Sequence, residues 1–223
     1  MKLATPSTSE ADDLSLTTSE PGDALGWDSD PFDSDSKATL RLLQAFFTQY
    51  TSTYYRIVPQ EAFMRWVYEC RDKCQNELMV LYSQLALASA WARDDSAFAR
   101  LCVNRAKHAT DLKFGQFSLA LVQSRLYLAL YHQAKGSDDL SWDSGGAALR
   151  ALSKQRLNTE DGCAMHGRDQ SRRHLFGLSY EQSRECARRT FWSCFVLDVS
   201  LPCLLAFCAF RAERVGIVFD DHG

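Results

Sequence analysis

The chain has 223 residues, of which 46% are hydrophobic and 24% charged, and its formal net charge is −3. This composition predicts a globular protein of one or two domains with a sizeable core, and the small negative charge excludes a general electrostatic attraction to nucleic acid. No hydrophobic run follows the first residues, so we predict no secretory signal and an intracellular protein whose eight cysteines are reduced.

The first 36 residues differ in composition from the rest of the chain. Against a single basic residue, Lys2, they contain nine acids: Glu10, Asp12, Asp13, Glu20, Asp23, Asp28, Asp30, Asp33 and Asp35. Such a segment buries too little apolar surface to offset the entropy lost on ordering, so we predict disorder for residues 1–36. Trp27 and Phe32 lie among these acids, a composition found in disordered activation segments. Composition alone favours a solvating tail, and an activation segment is the alternative.

From Lys37 onward, apolar residues recur at three- and four-residue steps, which predicts amphipathic helices. The predicted helical stretches are 40–54, 59–74, 77–91, 96–112, 117–136 and 141–157, followed by a loop at 158–179 and a long helix from Tyr180. The stretch 77–91 is apolar nearly all round and is expected at the centre of the core. Ser96 is a candidate N-cap and Gly136 a candidate helix-ending residue. No strand pattern is found, so the predicted fold class is all-α, with antiparallel helix pairs.

The sequence contains no motif of a phosphate-binding loop, a nucleophile elbow or a zinc protease. We therefore expect no enzyme and no catalytic, cofactor-binding or metal-binding residue. Cys70 and Cys74 are one helical turn apart and lack a second pair at metal-ligand spacing, so we interpret them as two cysteines on a helix face. His166 and His174 are interpreted as exposed loop residues rather than ligands or a pH-sensitive pair.

Six arginines cluster near the start of the last predicted helix: Arg168, Arg172, Arg173, Arg184, Arg188 and Arg189. The nearby aromatic residues belong to an apolar stretch rather than an exposed stacking surface, so we interpret the cluster as a solvated or ion-paired helix start, not a nucleic-acid groove. Glu185 precedes Arg189 by four residues, which is the favourable order for an ion pair along a helix.

Residues 191–210 form an apolar run of the length of a membrane span. Its Leu, Phe and Val side chains favour insertion, but Asp198 near its middle costs about 2.5 to 3.5 kcal/mol on the insertion scale. The expected free energy of inserting residues 191–210 into a bilayer is therefore close to zero. A helical adaptor protein with a membrane anchor at 191–210 is therefore the alternative to a buried helix of a globular domain.

The stretch ECARRTFWSCFVLD (185–198) resembles the motif of the fungal-specific transcription factor domain, the regulatory middle homology region of zinc binuclear cluster transcription factors. The upstream stretches LVQSRLYLALYHQAKG and SWDSGGAALRAL are similar to further segments of that family in the same order. The segment ALRALSKQRLNTEDG is similar to the xylanolytic-activator type of the family. The family-motif residues are Trp142, Gly146, Ala148, Arg150, Glu185, Arg188, Arg189, Phe191, Trp192, Phe195, Leu197 and Asp198.

The resemblance implies an all-α regulatory domain at 37–198, a role in transcription regulation and a location in the nucleus. It also implies protein partners, either from the transcription machinery or a dimer partner of the same family. The family binds zinc and DNA through a cluster of six cysteines in a basic segment, whereas this chain is acidic and free of cysteine before Cys70. We therefore expect neither a zinc cofactor nor sequence-specific DNA binding from this chain. The tail at 199–223 departs from the family pattern, which implies a truncated domain.

In this setting, Phe191, Trp192 and Phe195 are expected to pack the last helix into the core. Asp198 is expected to be buried or half-buried and to need a partner, because an unpaired buried carboxylate is costly. Arg150 is the candidate partner.

Overall fold

The computed structural model describes residues 26, 29–49, 55–113, 115–168 and 175–215, with the backbone alone described at 166–168 and 201–215. Within these residues the secondary structure is entirely helical, as predicted. The helices are α1 (Pro31–Ser34), α2 (Ser36–Gln49), α3 (Gln60–Glu69), α4 (Gln75–Ala92), α5 (Ala97–Leu112), α6 (Leu119–Ala134), α7 (Asp138–Lys154), α8 (Glu160–Arg168) and α9 (Tyr180–Val215), with a 3₁₀ turn at Leu175–Gly177.

Helix α4 lies at the centre of the core, as its sequence predicts. Every residue from Glu77 to Ser89 is buried, and α4 packs against α2, α5 and α6. A helix that is apolar on all sides is stable in water only when other helices surround it, which explains its position. Around it, α6 packs against α7, α7 against α9, and α8 against α9.

The helix ends follow local sequence signals. Ser96 caps α5, because its side-chain oxygen accepts a hydrogen bond from the Ala99 amide at 3.2 Å. Gly136 follows the end of α6 with φ +71°, a left-handed conformation that glycine adopts without a steric penalty. Both predictions are confirmed.

The end of the acidic segment is helical and packed, so the prediction of disorder was wrong at residues 29–36. Asp30 caps α1 by accepting from the Phe32 amide at 2.9 Å, and its carboxylate forms an ion pair with Lys73. The ion pair and the burial of Pro31 provide the stabilisation that composition alone did not indicate. Residues 1–25, 27 and 28 of the acidic segment, and with them the aromatic residue Trp27, lie outside the described residues.

The predicted loop at 158–179 contains α8 and the 3₁₀ turn, so that prediction was wrong in part. The Oγ1 of Thr159 accepts from the Gly162 amide at 3.1 Å, and Glu160 and Asp161 stand in the first turn, where acids favour a helix. His166 lies in α8 with its side chain outside the described atoms, and His174 lies outside the described residues.

Cys70 and Cys74 do not lie on one helix face. Cys70 ends α3 and Cys74 precedes α4, so the two residues flank the turn between these helices. The C-x₃-C spacing spans a break in the helix that the apolar periodicity did not reveal.

Helix α9 begins at Tyr180, as predicted, and runs through the candidate membrane span at 191–210. Among the helices of the described part of the chain, none combines the length and apolar character needed to cross a bilayer.

Candidate functional site

The face between α7 and α9 brings together the two stretches that carry the family-motif residues. Small residues on α7, namely Gly145, Ala148 and Ala151, are buried toward its neighbours. The Ser141 hydroxyl donates to the Ala129 carbonyl of α6 at 2.9 Å, which fixes α7 against α6. Small side chains and this hydrogen bond allow α7 to lie close to the core.

The α6 residue Gln123 holds α9 from the other side. Its side-chain amide is fully buried and donates to Thr190 Oγ1 at 3.1 Å and to Cys186 Sγ at 3.2 Å. A buried amide needs such partners because an unsatisfied polar group costs about 1–3 kcal/mol. Gln123 belongs to a stretch singled out in the sequence, but this contact could not be read from spacing.

A pocket of about 320 Å³ opens between α7 and α9. It is lined by Trp142, Gly145, Gly146, Ala148, Leu149 and Arg150 from α7 and by Cys194, Leu197 and Asp198 from α9. Six of these nine are family-motif residues. The sequence did not predict a pocket, and the six residues were singled out only as structural residues of the family motif.

Arg150 lies over Gly146 at the edge of this pocket, which we call the α7–α9 pocket. A Cβ added at Gly146 would meet the Arg150 Nη1 atom at 3.2 Å, so glycine leaves the room in which the guanidinium lies. A second guanidinium, Arg125, is near: burial lowers its pKa, and the charge of Arg150 lowers the pKa further. The pocket therefore has an apolar wall and positive charge at one side.

Asp198 is exposed, so the expectation that it is buried was wrong, and no ion pair between Asp198 and Arg150 is found among the described side chains. Both residues line the pocket, but the carboxylate remains in water and needs no protein partner. The sequence placed Asp198 inside an apolar run and could not show that it lies on the outward side of the helix.

The aromatic residues of α9 divide between its two faces. Phe191 is half-buried and packs against the core, as expected, whereas Trp192 is 53% and Phe195 47% exposed. The expectation that all three pack the core was therefore wrong for Trp192 and Phe195. The buried face of α9 is formed by residues at helical spacing: Ser183, Cys186, Ala187, Thr190, Ser193, Cys194 and Leu197. Trp192 and Phe195 fall on the opposite side.

The exposed aromatic rings form one surface. The centroids of Trp192 and Phe195 are 5.9 Å apart in an edge-to-face arrangement, and Val199, one turn further, is 52% exposed. We call Trp192, Phe195 and Val199 the α9 outer face.

The arginines at the start of α9 are ion-paired. The interpretation of the arginine cluster as an ion-paired helix start is therefore confirmed for Arg184, Arg188 and Arg189, whose side chains the structure describes. Arg188 makes two hydrogen bonds to Glu160, at 2.9 and 2.7 Å, and Arg184 adds one at 3.0 Å. Arg189 donates to Glu185 at 2.8 Å, the predicted pair. Glu160 lies on α8, in the stretch read as a loop, so the sequence gave no indication of its role.

These contacts lower the pKa values of both carboxyl groups. The hydrogen bonds from Arg188 and Arg184 lower the pKa of Glu160 to about 2, and the hydrogen bond from Arg189 lowers the pKa of Glu185. The network joins α8 to α9 at the base of the motif helix. Arg168 has no described side chain, and Arg172 and Arg173 lie outside the described residues.

Cys194 contributes a buried thiol to the wall of the pocket. Burial raises the pKa of Cys194 to about 12, which favours the protonated thiol over the reactive thiolate at neutral pH. Within the described residues, no group of three or more His, Cys, Asp or Glu side chains is arranged to hold a metal ion.

Comparison with known proteins gives a family for this arrangement. The model of the fungal specific transcription factor domain matches residues 43–205, which is more than half of the chain. An uncharacterized transcriptional regulatory protein of Schizosaccharomyces pombe is 36% identical over 88 residues, which are 38% of this chain and 8% of that protein. No solved structure matches the chain. The matched range includes α7, most of α9 and all the family-like stretches quoted from the sequence. The chain belongs to the fungal specific transcription factor domain family.

Proposed function

We propose that this chain is a non-catalytic regulatory domain of a transcription regulator and that it acts by protein contact. Its family implies transcription regulation. The protein contact is supported by one observation, which is that the family-motif helix turns two aromatic side chains outward instead of burying them.

The α9 outer face has the character of a protein-binding surface. Trp192 and Phe195 are large, rigid side chains, and aromatic residues at the centre of an interface provide much of its binding energy. With Val199 they stand at i, i+3 and i+7, the spacing of a helix face that enters an apolar groove. We propose a partner protein with such a groove, from the transcription machinery or a second member of this family.

We propose that the chain acts in the nucleus and that its described residues make no sequence-specific contact with DNA. Arg184, Arg188 and Arg189 are engaged by Glu160 and Glu185. A phosphate backbone would have to displace these carboxylates before it could use the same cations. No cofactor and no metal are included in the proposal.

A reporter assay tests the proposed function. The full chain is fused to an unrelated DNA-binding domain, and transcription from a reporter with the matching site is measured in fungal cells. We expect the fusion to change reporter output relative to the DNA-binding domain alone, and Trp192→Ser/Phe195→Ser to remove the change. Leu112→Ser is the matched control, since Leu112 is also exposed but lies on α5. Equal output from the fusion and the DNA-binding domain alone would contradict the proposal.

A second candidate function is recognition of a small organic acid in the α7–α9 pocket. The positive charge of Arg150, the apolar wall and the size of the pocket suit a carboxylate with an apolar body, and Asp198 at the rim suits a donor group on the same molecule. Thermal unfolding with a panel of short aliphatic and aromatic carboxylates tests it. A bound acid raises Tm, Arg150→Gln removes the rise, and Lys154→Gln on the same helix retains it. No rise with any acid would exclude this candidate.

A further inference from the structure

The segment of residues 29–35, which we call the strap, is bound to the domain by contacts that resemble recognition of a peptide. It crosses the turn between α3 and α4 and reaches α5. A four-residue helix such as α1 has no stability of its own in water, because helix nucleation is unfavourable. The order of the strap therefore comes from the surface on which it lies.

The acidic contact is made with a buried cation. The Lys73 side chain is 2% exposed and that of Asp30 9%. The Lys73 ammonium donates to the carbonyl oxygens of Val67 at 3.1 Å and Cys70 at 2.7 Å, and its remaining hydrogen bond goes to the Asp30 carboxylate. An ammonium so deeply buried requires a negative partner, because an uncompensated buried charge is strongly destabilising. This position therefore selects a carboxylate.

The aromatic contact is adjacent. The Phe32 ring meets the Tyr68 ring edge to face, with centroids 5.5 Å apart. Lys73 Nζ lies 5.8 Å from the centre of the Phe32 ring and 5.3 Å from that of Trp66, within reach of a cation–π interaction. Asp30 and Phe32, two residues apart, are thus bound by the Lys73 ammonium and the aromatic rings beside it.

The backbone of the strap is bound as well. The Tyr82 hydroxyl donates to the Ser29 carbonyl at 2.5 Å, and Arg105 donates to the Ser29 hydroxyl at 2.6 Å. The Thr39 hydroxyl donates to the Pro31 carbonyl at 2.9 Å. The domain thus contacts Ser29, Asp30 and Phe32 through their side chains, and Ser29 and Pro31 through their carbonyl oxygens. Its selectivity comes from the side-chain contacts, above all from those to the acid and to the aromatic ring two residues later.

We propose that the surface formed by Trp66, Tyr68, Lys73, Tyr82 and Arg105 is a receptor for acidic–aromatic peptides of the type Ser-Asp-Pro-Phe, and that the strap occupies it within the same chain. The occupant is this chain's own segment, as the contacts above describe. As a consequence, the receptor masks the side chains of Asp30 and Phe32 from other proteins. These are the side chains through which an acidic–aromatic segment would bind a partner. A second peptide of the same chemistry competes with the strap for the receptor.

The strap has the advantage of its covalent link. A tethered segment binds at an effective concentration of about millimolar or higher, so a free peptide of equal affinity competes poorly with it. A receptor emptied by substitution in the strap binds the same free peptide much more tightly. This difference is the measurable signature of the proposal.

Peptide binding to the full chain tests the receptor. A labelled peptide of sequence GWDSDPFDSD (26–35) is titrated, with fluorescence anisotropy as the readout, against the wild-type chain and against Asp30→Ala/Phe32→Ala, in which the strap is disabled. We expect at least tenfold tighter binding to the variant. Adding Lys73→Met to that variant removes binding, and adding Leu140→Ser, an exposed site on α7, leaves it unchanged. Equal affinity for wild type and strap variant, or binding that survives Lys73→Met, overturns the proposal.

Hydrogen exchange in the wild-type chain provides a second test that needs no variant to fold. Millimolar unlabelled peptide, added to the full chain, is expected to speed amide exchange in residues 29–36 at least threefold while α4 stays protected. A peptide with Asn and Ala in place of the acid and the ring at 30 and 32 is the control and is expected to have no effect. Unchanged exchange in 29–36 with the unmodified peptide contradicts the proposal.

Discussion

Among single side chains, Glu77 links two parts of the fold that are far apart in sequence. Its carboxylate is buried and accepts from the Cys74 amide at 2.9 Å, which caps α4. It also accepts from the Phe176 amide at 2.9 Å, 99 residues away. Phe176 has φ +60°, which is strained for a residue with a side chain, and its ring packs edge to face on Phe63 and Trp66. The carboxylate and the ring together hold this conformation.

Replacing Glu77 by alanine is expected to lower the free energy of unfolding by about 2–4 kcal/mol, because the buried Phe176 amide and the partly buried Cys74 amide lose their acceptor, at about 1–3 kcal/mol for a buried group. Urea unfolding of the purified chain measures the change. Glu69→Ala, an exposed carboxylate at the end of α3, is the control and is expected to stay within about 0.5 kcal/mol of wild type. A loss below 1 kcal/mol for Glu77→Ala would show that the two amides find other acceptors.

The Glu160 ion pairs predict a dependence of stability on pH. The pKa of Glu160 falls from 4.5 to about 2 in the folded chain, so the folded state holds fewer protons than the unfolded state between these values. The stabilisation by Glu160 is therefore fully present above pH 4.5 and is lost as the pH falls toward 2. Urea unfolding from pH 6 to 2.5 is expected to fall less steeply in Glu160→Gln than in wild type. Parallel curves for the two proteins would contradict the ion pairs.

Between helices, close packing of α7 against its neighbours depends on small side chains. Ala148 is fully buried and lines the α7–α9 pocket. Ala148→Leu is expected to destabilise the chain by about 1–3 kcal/mol, because added methylene groups force neighbouring side chains or backbone to move. Thermal or urea unfolding measures the loss. Ser153→Leu places the same side chain on the exposed face of α7 and is expected to change stability by no more than about 0.5 kcal/mol.

Which helices could be predicted depended on the strength of the local signal. The central helix α4 was evident from continuous apolar character, and the cap at Ser96 and the stop at Gly136 from residue type. Helix α8 was missed because its stretch is polar and contains two glycines, although Thr159 followed by two acids is a helix start. At Gly162 the backbone passes so close to Arg156 that a Cβ would lie 1.9 Å from its carbonyl oxygen, a close approach that no periodicity reveals. The strap was missed because its stabilising partners are distant in sequence.

Across the entire domain, the sequence indicated the family-motif residues but neither the α7–α9 pocket nor the direction in which the side chains of α9 face. Trp142, Gly146 and Arg150 meet Leu197 and Asp198 across the α7–α9 pocket, and only the packing of α7 on α9 brings these stretches together. The run from Phe191 to Val199 is so apolar that composition could not separate its two faces. Helical spacing from the buried residues Cys194 and Leu197 does separate them, once the register is known.

The motif helix thus has two roles. Its inner face, with Thr190 and Leu197, holds α9 on the domain, and its α9 outer face is available to a partner. The proposed protein contact depends on this separation, since it requires that Trp192 and Phe195 contribute little to folding.

Urea unfolding of Trp192→Ser/Phe195→Ser beside Leu197→Ala tests the separation most directly. We predict that the double variant stays within about 1 kcal/mol of wild type, as is usual for exposed sites, whereas Leu197→Ala loses about 2–5 kcal/mol from the core. A double variant that loses as much free energy of unfolding as Leu197→Ala would show that both aromatic residues hold the core and are not free to bind a partner.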